Sequence, residues 1–236
     1  MADGEYMTDL DAVDLALGGV IAKAYQGLAM DGTKAFQRFL ERPDMKKILK
    51  SRNDDIQATL QRIARNQMEP DKKELDLPLI IYYRDMGLTG DQAQFPQVIE
   101  ARRYARDLPG ETNEIEVMRV TAFPVTLTYS MLFLAWDRAT MERMALAWWG
   151  YIAPHHRKHS RFLVRYMLDG ELTEVPANLS SPREVLTSSE QIDEAANGRL
   201  WGSRTMIEVN TQALYAVKER APASYTVQGT AGVMSS

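Results

Sequence analysis

The chain has 236 residues, 45% of them hydrophobic and 25% charged, which suffices for the core of one ordinary domain or two small ones. Its formal net charge of −4 provides no overall basic field, so we expect no direct role in binding nucleic acid. The absence of cysteine excludes disulfides and thiolate zinc sites.

Signals for secretion and membrane insertion are missing from the sequence. The segment "MADGEYMTDLDAVDLALGG" is acidic and has no basic stretch followed by an apolar one, so it does not resemble a signal peptide. The longest apolar runs, such as "MLFLAW", are far shorter than the roughly 20 residues of a membrane helix. We therefore expect a protein made and kept in a cytoplasm, with no membrane partner.

Residues 8–67 are predicted to be helical. In the first part, apolar residues recur at spacings of three and four, which places them on one helix face. That face comprises Leu10, Val13, Leu17, Val20, Ile21, Ala24, Tyr25 and Leu28. Gly18 and Gly19 interrupt the helix at a cost of roughly 1 kcal/mol each relative to alanine, or else allow a close neighbour. "MDGT" at residues 30–33 is predicted to end this helix with a turn.

A second helix is predicted from Asp44 onward. Four apolar residues form a narrow coiled-coil type seam on it: Leu49, Ile56, Leu60 and Ile63. Two interpretations stay open. The seam packs on the chain's own domain, or it contacts another subunit.

Strands follow the charged, proline-flanked segment 69–78. "LPLIIYYRD" at residues 77–85 is rich in β-forming residues and predicts a buried strand. Residues 86–113 are interpreted as a long surface loop with a short helix around "QVIEARRYARDL". Apolar residues then alternate from Val125 to Phe133, which predicts a strand that begins near Pro124.

A helix and two more strands complete the pattern. Asp137 is a predicted N-cap. The helix after it carries an apolar stripe formed by Met141, Met144, Ala145, Trp148 and Ile152. Residues 160–168 and 202–217 are predicted strands, and Asp169-Gly170 is a predicted turn.

These elements predict an α+β fold, in which an N-terminal helical region precedes a small mixed or antiparallel sheet with a packed helix. The predicted domains are a helical region at residues 1–70, a core domain at 71–218 and a flexible tail at 219–236.

Motifs that would support catalysis or cofactor binding are absent from the sequence. It contains no Walker loop, no GxSxG elbow and no HExxH. We therefore expect no catalytic, cofactor-binding or metal site and no cofactor. Asp9, Asp11 and Asp14 are interpreted as favourable charges at a helix N-terminus, with metal binding as the alternative.

Two further groups of residues have competing interpretations. "HHRKHS" is interpreted as a cationic turn, because adjacent histidines do not face one site, with metal binding as the alternative. Arg199 and Arg204 follow the acidic Glu190 region, and such pairs are more typical of loop fixing or subunit docking than of catalysis. We therefore predict interface roles for Leu49, Ile56, Leu60, Ile63, Arg199 and Arg204.

Four segments together resemble the small α/β structural proteins of tailed-bacteriophage tails. They are "LPLIIYYRD", "RVTAFPVTLTYSMLFLAWDRATMERMALAWWGYI", "RFLVRYML" and "SSEQIDEAANGRLWGSRTMIEVNTQAL". The shared features are a strand "P-V-x-L-x-Y" running into a tryptophan, a capped helix, and an acidic segment before "GR-x-W" and a last strand. The resemblance covers roughly residues 77–217 and leaves out the N-terminal helices.

The resemblance implies a non-enzymatic virion component without a cofactor. Such a protein forms or joins a ring at one end of the tail, as a terminator under the neck or as a baseplate or sheath adaptor. Its expected partners are copies of itself and neighbouring tail proteins (tube, sheath, neck or baseplate). Its expected location is the virion, and the host cytoplasm before assembly.

Two alternatives belong to other functional classes. The first is a cytoplasmic adaptor that binds a partner through the seam helix. The second is an enzyme whose site is assembled from scattered residues: His155, His156, Glu190, Arg199 and Arg204.

Overall fold

The computed structural model describes residues 5–29, 32–51, 77–89, 99–107, 114–153, 159–180, 189–191 and 201–222. In chain order, the elements are β1 (Glu5–Met7), α1 (Asp11–Ala24), α2 (Lys34–Glu41), α3 (Asp44–Lys47), β2 (Ile48–Lys50), β3 (Leu79–Thr89), β4 (Ile99–Asp107), β5 (Glu114–Ala135), α4 (Arg138–Ile152), β6 (Arg161–Leu168), β7 (Glu171–Leu179), β8 (Ser189–Gln191) and β9 (Trp201–Pro222).

Helix α1 confirms the first predicted helix. The Asp9 carboxylate accepts a hydrogen bond from the Asp11 backbone N–H at 2.9 Å, which satisfies one of the free amide groups at the helix start. Most of the predicted apolar face is buried, and the exceptions are the partly buried Leu10 and Leu28, which is 38% exposed. The Thr33 hydroxyl caps α2 by accepting from the Phe36 N–H at 3.1 Å, so the second helix begins after the predicted "MDGT" break.

The predicted seam helix is wrong at Leu49. Helix α3 has only four residues, and the chain then enters β2, which pairs in parallel with β3 so that Leu49 lies opposite Ile81. Backbone pairing with a buried strand outweighs the helical spacing of the apolar residues. Three seam residues, Ile56, Leu60 and Ile63, lie outside the described residues.

The sheet contains nine strands in the part of the chain that the structure describes. Its main path runs β2-β3-β5-β9-β7-β6, while β4 pairs with β5, and β1 and β8 pair with β9. Every pair is antiparallel except β2 with β3, so the sheet is mixed. Strands β5 and β9 form a continuous ribbon, in which all 22 residues of β5 have a partner in β9.

Strand β5 was predicted correctly from Val125 onward, but its predicted start near Pro124 was wrong. The strand begins ten residues earlier, at Glu114. Its second half pairs with β3, from Thr126 on, and its first half pairs with β4, up to Ala122. Pro124 lies between these two pairings, where its missing N–H removes no bond to either strand. The short helix predicted around "QVIEARRYARDL" is also wrong, because β4 pairs along the edge that the first half of β5 offers.

The main core lies between this sheet and the helices. All five residues of the predicted stripe on α4 are buried there, together with Val13, Leu17 and Ile21 of α1. Asp137 caps α4 as predicted, by accepting from the Thr140 N–H at 2.7 Å. Helices from both halves of the chain therefore pack in one core with the sheet.

Strands β6 and β7 form a hairpin with a two-residue turn. Asp169 and Gly170 have φ values of 50° and 82°, as in the turns that suit tightly connected strands, so the predicted turn is confirmed. The prediction of strand 160–168 is also confirmed, whereas β7 was missed. The last strand was predicted correctly but is longer than expected, since β9 continues past residue 217 to Pro222.

The fold is thus α+β with a mixed sheet, as predicted. The expected small sheet is a large one, and two of its strands, β1 and β2, lie in the N-terminal region that was predicted to be helical. Among the described residues, no helix has the length and apolar character needed to cross a bilayer.

Candidate functional site

The most developed polar site lies where α1 crosses β2, β3 and β5. We call it the Asp14 cluster, and it consists of Asp11, Asp14, Lys50, Tyr82, Arg84 and Tyr129. Asp14 is at its centre and is only 2% exposed, although it carries a carboxylate. A buried carboxylate is costly unless donors and opposite charges surround it.

Three elements supply those partners. The Tyr129 hydroxyl donates to Asp14 Oδ1 at 2.6 Å, and Lys50 Nζ lies 2.8 Å from Asp14 Oδ2. Arg84 Nη1 lies 3.4 Å from Asp14 Oδ1. Lys50 Nζ also bonds Asp11 Oδ1 at 2.8 Å, so two carboxylates face two cations and the formal charges of the cluster balance.

Tyr82 ties the same cluster to the helix backbone. Its hydroxyl donates to the Asp14 carbonyl oxygen at 3.0 Å. This contact needs a residue without a side chain at position 18, because a Cβ there would lie 2.5 Å from Tyr82 Oη. Of the two glycines predicted to allow a close neighbour, Gly18 does so, whereas a Cβ at Gly19 meets nothing within 4 Å.

The protonation preferences follow from burial and charge. Burial, and then the charge of Asp14, raises the pKa of Tyr82 to about 12. The pKa of Tyr129 is raised further, first by burial and then by its hydrogen bond to Asp14. The Lys50 hydrogen bond lowers the pKa of Asp11. Burial lowers the pKa of Lys50, but bonds and attraction to both aspartates outweigh burial and raise it.

This arrangement holds α1 on the sheet. Both carboxylate oxygens of Asp14 are engaged by donors or cations, and both tyrosines favour their protonated forms. Lys50 and Arg84 lie beside Asp14, so a metal ion there would face positive charge. No group of three or more histidine, cysteine, aspartate or glutamate side chains at metal-binding distance occurs within the described ranges.

A second polar group lies on the opposite face of the sheet. The Ser130 hydroxyl donates to Asp85 Oδ2 at 3.2 Å, and Arg204 Nη2 donates to Ser130 Oγ at 2.6 Å. The Arg204 guanidinium also lies over the Tyr83 ring, 5.9 Å from its centroid. This group continues the apolar patch made by Leu79, Ile81, Tyr83, Leu132 and Leu134.

The structure distributes the predicted site residues over different places. Leu49 packs against the patch of the second sheet face, and Arg204 lies in β9, within the strand predicted at residues 202–217. Glu190 lies in β8, paired with Gly202. Arg199 lies outside the described residues. Interface roles for these residues stay predictions.

The histidine segment is described only at its end. The His159 ring stacks on Tyr151 with centroids 4.0 Å apart, and its Nδ1 lies 2.9 Å from the Tyr151 carbonyl oxygen. His155 and His156 lie outside the described residues. Of the two adjacent tryptophans, Trp148 is buried in the core and Trp149 is 36% exposed.

The Asp14 cluster was missed by the sequence analysis, although one signal pointed to it. Asp14 shares the helix face of Leu10, Leu17 and Ile21 by spacings of four, three and four. A carboxylate on an apolar face requires a partner from another element. Its partner Tyr129 is 115 residues away, so the spacing alone did not identify it.

The chain matches no protein-family model, and no curated protein sequence matches it significantly.

Proposed function

We propose that the chain is a non-enzymatic structural protein of a bacteriophage tail, which forms or joins a ring at one end of the tail. In this role it is a terminator under the neck, or an adaptor of the baseplate or sheath. Its partners are copies of itself and neighbouring tail proteins. It resides in the virion and, before assembly, in the host cytoplasm.

The observation that carries the proposal is the β5–β9 ribbon. With 22 residues in each strand and a rise of about 3.3 Å per residue, the ribbon is roughly 70 Å long. Typical strands have about five or six residues. On its β5 side the ribbon is bordered by β3 and β4, and on its β9 side by the short pairings with β8, β7 and β1. A long ribbon of this kind suits contacts with neighbouring subunits.

The Asp14 cluster supports the same role. Its charged groups and hydroxyls bind one another, and these contacts attach α1 to three strands of the sheet, two of which border or belong to the ribbon. The resemblance to tail proteins also lies mainly in this scaffold, since "PVTLTYSMLFLAW" forms the second half of β5 and the residue that follows it.

Labelling of virions tests the proposal. Antibodies against the full chain, visualised by electron microscopy on particles of a phage that encodes it, should bind one end of the tail. Genes for tail-tube and sheath proteins should flank its own gene. Label that is absent from purified virions, together with a gene neighbourhood that has no tail genes, would contradict the proposal.

A further inference from the structure

The apolar patch on the second face of the sheet is deeply buried, although α1 and α4 pack on the other face. Leu79, Ile81 and Leu134 have no exposed surface, and Tyr83 and Leu132 are 3% and 8% exposed. The alternate residues of the same strands belong to the main core with the helices. A sheet face that is buried to this extent needs a covering layer of its own.

Both ends of one connection in the chain meet this patch. Among the described residues, the partly buried apolar side chains that pack against it are those of Leu49, Leu77 and Trp136. Leu49 lies in β2, shortly before segment 52–76, and Leu77 directly follows that segment. Segment 52–76, which lies outside the described residues, therefore leaves the described chain at the patch and returns to it there.

The pairing of β2 with β3 requires this connection to be a crossover. The two strands run parallel, with Lys50 beside Tyr82. The chain must therefore travel back roughly 20 Å, the length of six strand residues, before it enters β3 through Leu77. Parallel connections need about a dozen residues or more and are usually helical, so the 25 residues of segment 52–76 suffice.

The hand of the crossover selects the face that it covers. The Ser51 N–H donates to the Tyr82 carbonyl oxygen at 2.9 Å, so the peptide groups of Tyr82 point to β2. The Tyr82 side chain points to α1, where its hydroxyl binds the Asp14 carbonyl oxygen. For an L-residue, this places β2 to the right of β3 when the strands run upward and α1 faces the viewer. A connection from β2 to β3 is then right-handed only on the second face, and about 98% of such connections are right-handed.

We propose that segment 52–76 of the same chain covers the patch, with Ile56, Leu60 and Ile63 packed against it. These three residues recur at spacings of four and three, which suits one apolar stripe against a sheet. Charged residues between them, such as Arg62, then face water. In this arrangement the seam belongs to the core of its own chain and is not a surface for another subunit.

Cross-linking within one chain tests which surface the segment meets, because the chain has no cysteine of its own. Leu132→Cys marks the patch, and Met131→Cys, the neighbouring residue on the opposite sheet face, is the matched control. Each is combined in turn with Ile56→Cys, Leu60→Cys or Ile63→Cys in the full chain, and the double variants are treated with a short bismaleimide.

At least one of the three pairs with position 132 should link within the chain. The product should have the mass of one chain, and digestion should yield the two joined peptides. The pairs with position 131 should link far less. A product of two linked chains would assign the patch to the segment of a second copy and overturn the proposal, as would equal linking at positions 131 and 132 or no linking at either.

A truncation tests the contact without cross-linking. Leu60→Ala should raise the unfolding equilibrium constant roughly thirtyfold or more at every protein concentration, because it removes a side chain buried within one chain. Arg62→Ala, on the opposite side of the stripe, is the matched control and should change the constant by about threefold at most. Urea titrations at two protein concentrations measure both variants. Equal effects of the two substitutions, or an effect of Leu60→Ala that depends on concentration, would overturn the proposal.

The contact does not rest on the tail assignment. A chain that links position 132 to the segment but is absent from virions would support the contact and contradict the proposed function. A chain that is present at one end of the tail but gives no such link would do the reverse.

Discussion

Replacement of Asp14 by asparagine tests whether the Asp14 cluster holds α1 on the sheet. The substitution keeps the shape of the side chain but removes its charge, which leaves Lys50 and Arg84 without their buried counter-charge and weakens the Tyr129 hydrogen bond. Loss of one partner of a fully buried ion pair costs about 3–5 kcal/mol.

The expected cost here is smaller because both cations reach water. The side chain of Lys50 is 36% exposed and that of Arg84 is 28% exposed, and Lys50 keeps its bond to Asp11. We therefore expect Asp14→Asn to lower the free energy of unfolding by about 2 kcal/mol. For a chain of this length, that corresponds to a melting temperature lower by roughly 4–8 °C.

Urea titration followed by tryptophan fluorescence measures this change, and Asp11→Asn is the matched control. It removes the same charge from the same cluster, but the Asp11 side chain is 58% exposed, so the loss should be under about 1 kcal/mol. Equal effects of the two substitutions, or an Asp14→Asn variant as stable as the parent chain, would refute the proposed role of the cluster.

Three further predictions concern local contacts. Gly18→Ala should destabilise the chain despite the better helix propensity of alanine, because the new Cβ would collide with Tyr82 Oη. Gly19→Ala, which meets no neighbour, should stabilise the chain by about 0.5–1 kcal/mol. Thermal melts compare the two variants, and a stabilising Gly18→Ala would contradict the close approach of Tyr82. Because the pKa values of Tyr82 and Tyr129 are raised in the folded protein, their protonated forms stabilise it fully below pH 10 and progressively less above pH 10. Urea titrations at rising pH should show that Tyr129→Phe loses less unfolding free energy than the parent between pH 10 and 12, by about 1.4 kcal/mol per pH unit. Parallel pH curves for the variant and the parent would be inconsistent with this. Asp137→Ala should cost about 1 kcal/mol because the N-cap bond of α4 is lost, and an unchanged urea midpoint would argue against that cap.

The elements that the sequence predicts well are those with one strong period. The stripe of α4 repeats every three or four residues behind a capping aspartate, and the buried part of β3 is a short run of β-forming residues. In both elements the conformation that the local sequence prefers is also the one that its packing in the fold requires, so the sequence pattern alone predicted the structure.

Failures occurred where a distant strand decided the local structure. Residues 99–107 have no strong strand pattern, and they are extended because the first half of β5 offers them an edge. Leu49 fits a helical spacing and also a strand beside Ile81, and the pairing with β3 decides. The alternation of Thr173, Val175 and Ala177 in β7 was present in the sequence but was passed over.

The Asp14 cluster was less predictable than the fold. The sequence shows a carboxylate on the apolar face of α1, but its partners come from residues 50, 82, 84 and 129, and only the sheet order brings these together. The cluster therefore follows from topology, which residue spacing does not determine.

The most direct measurement of self-assembly is the particle mass of the full chain at rising concentration, by light scattering after size-exclusion chromatography. A subunit that forms or joins a ring with its own copies should give particles of several times 26.7 kDa that appear annular in electron micrographs. A mass of one chain at every concentration would contradict the proposed assembly.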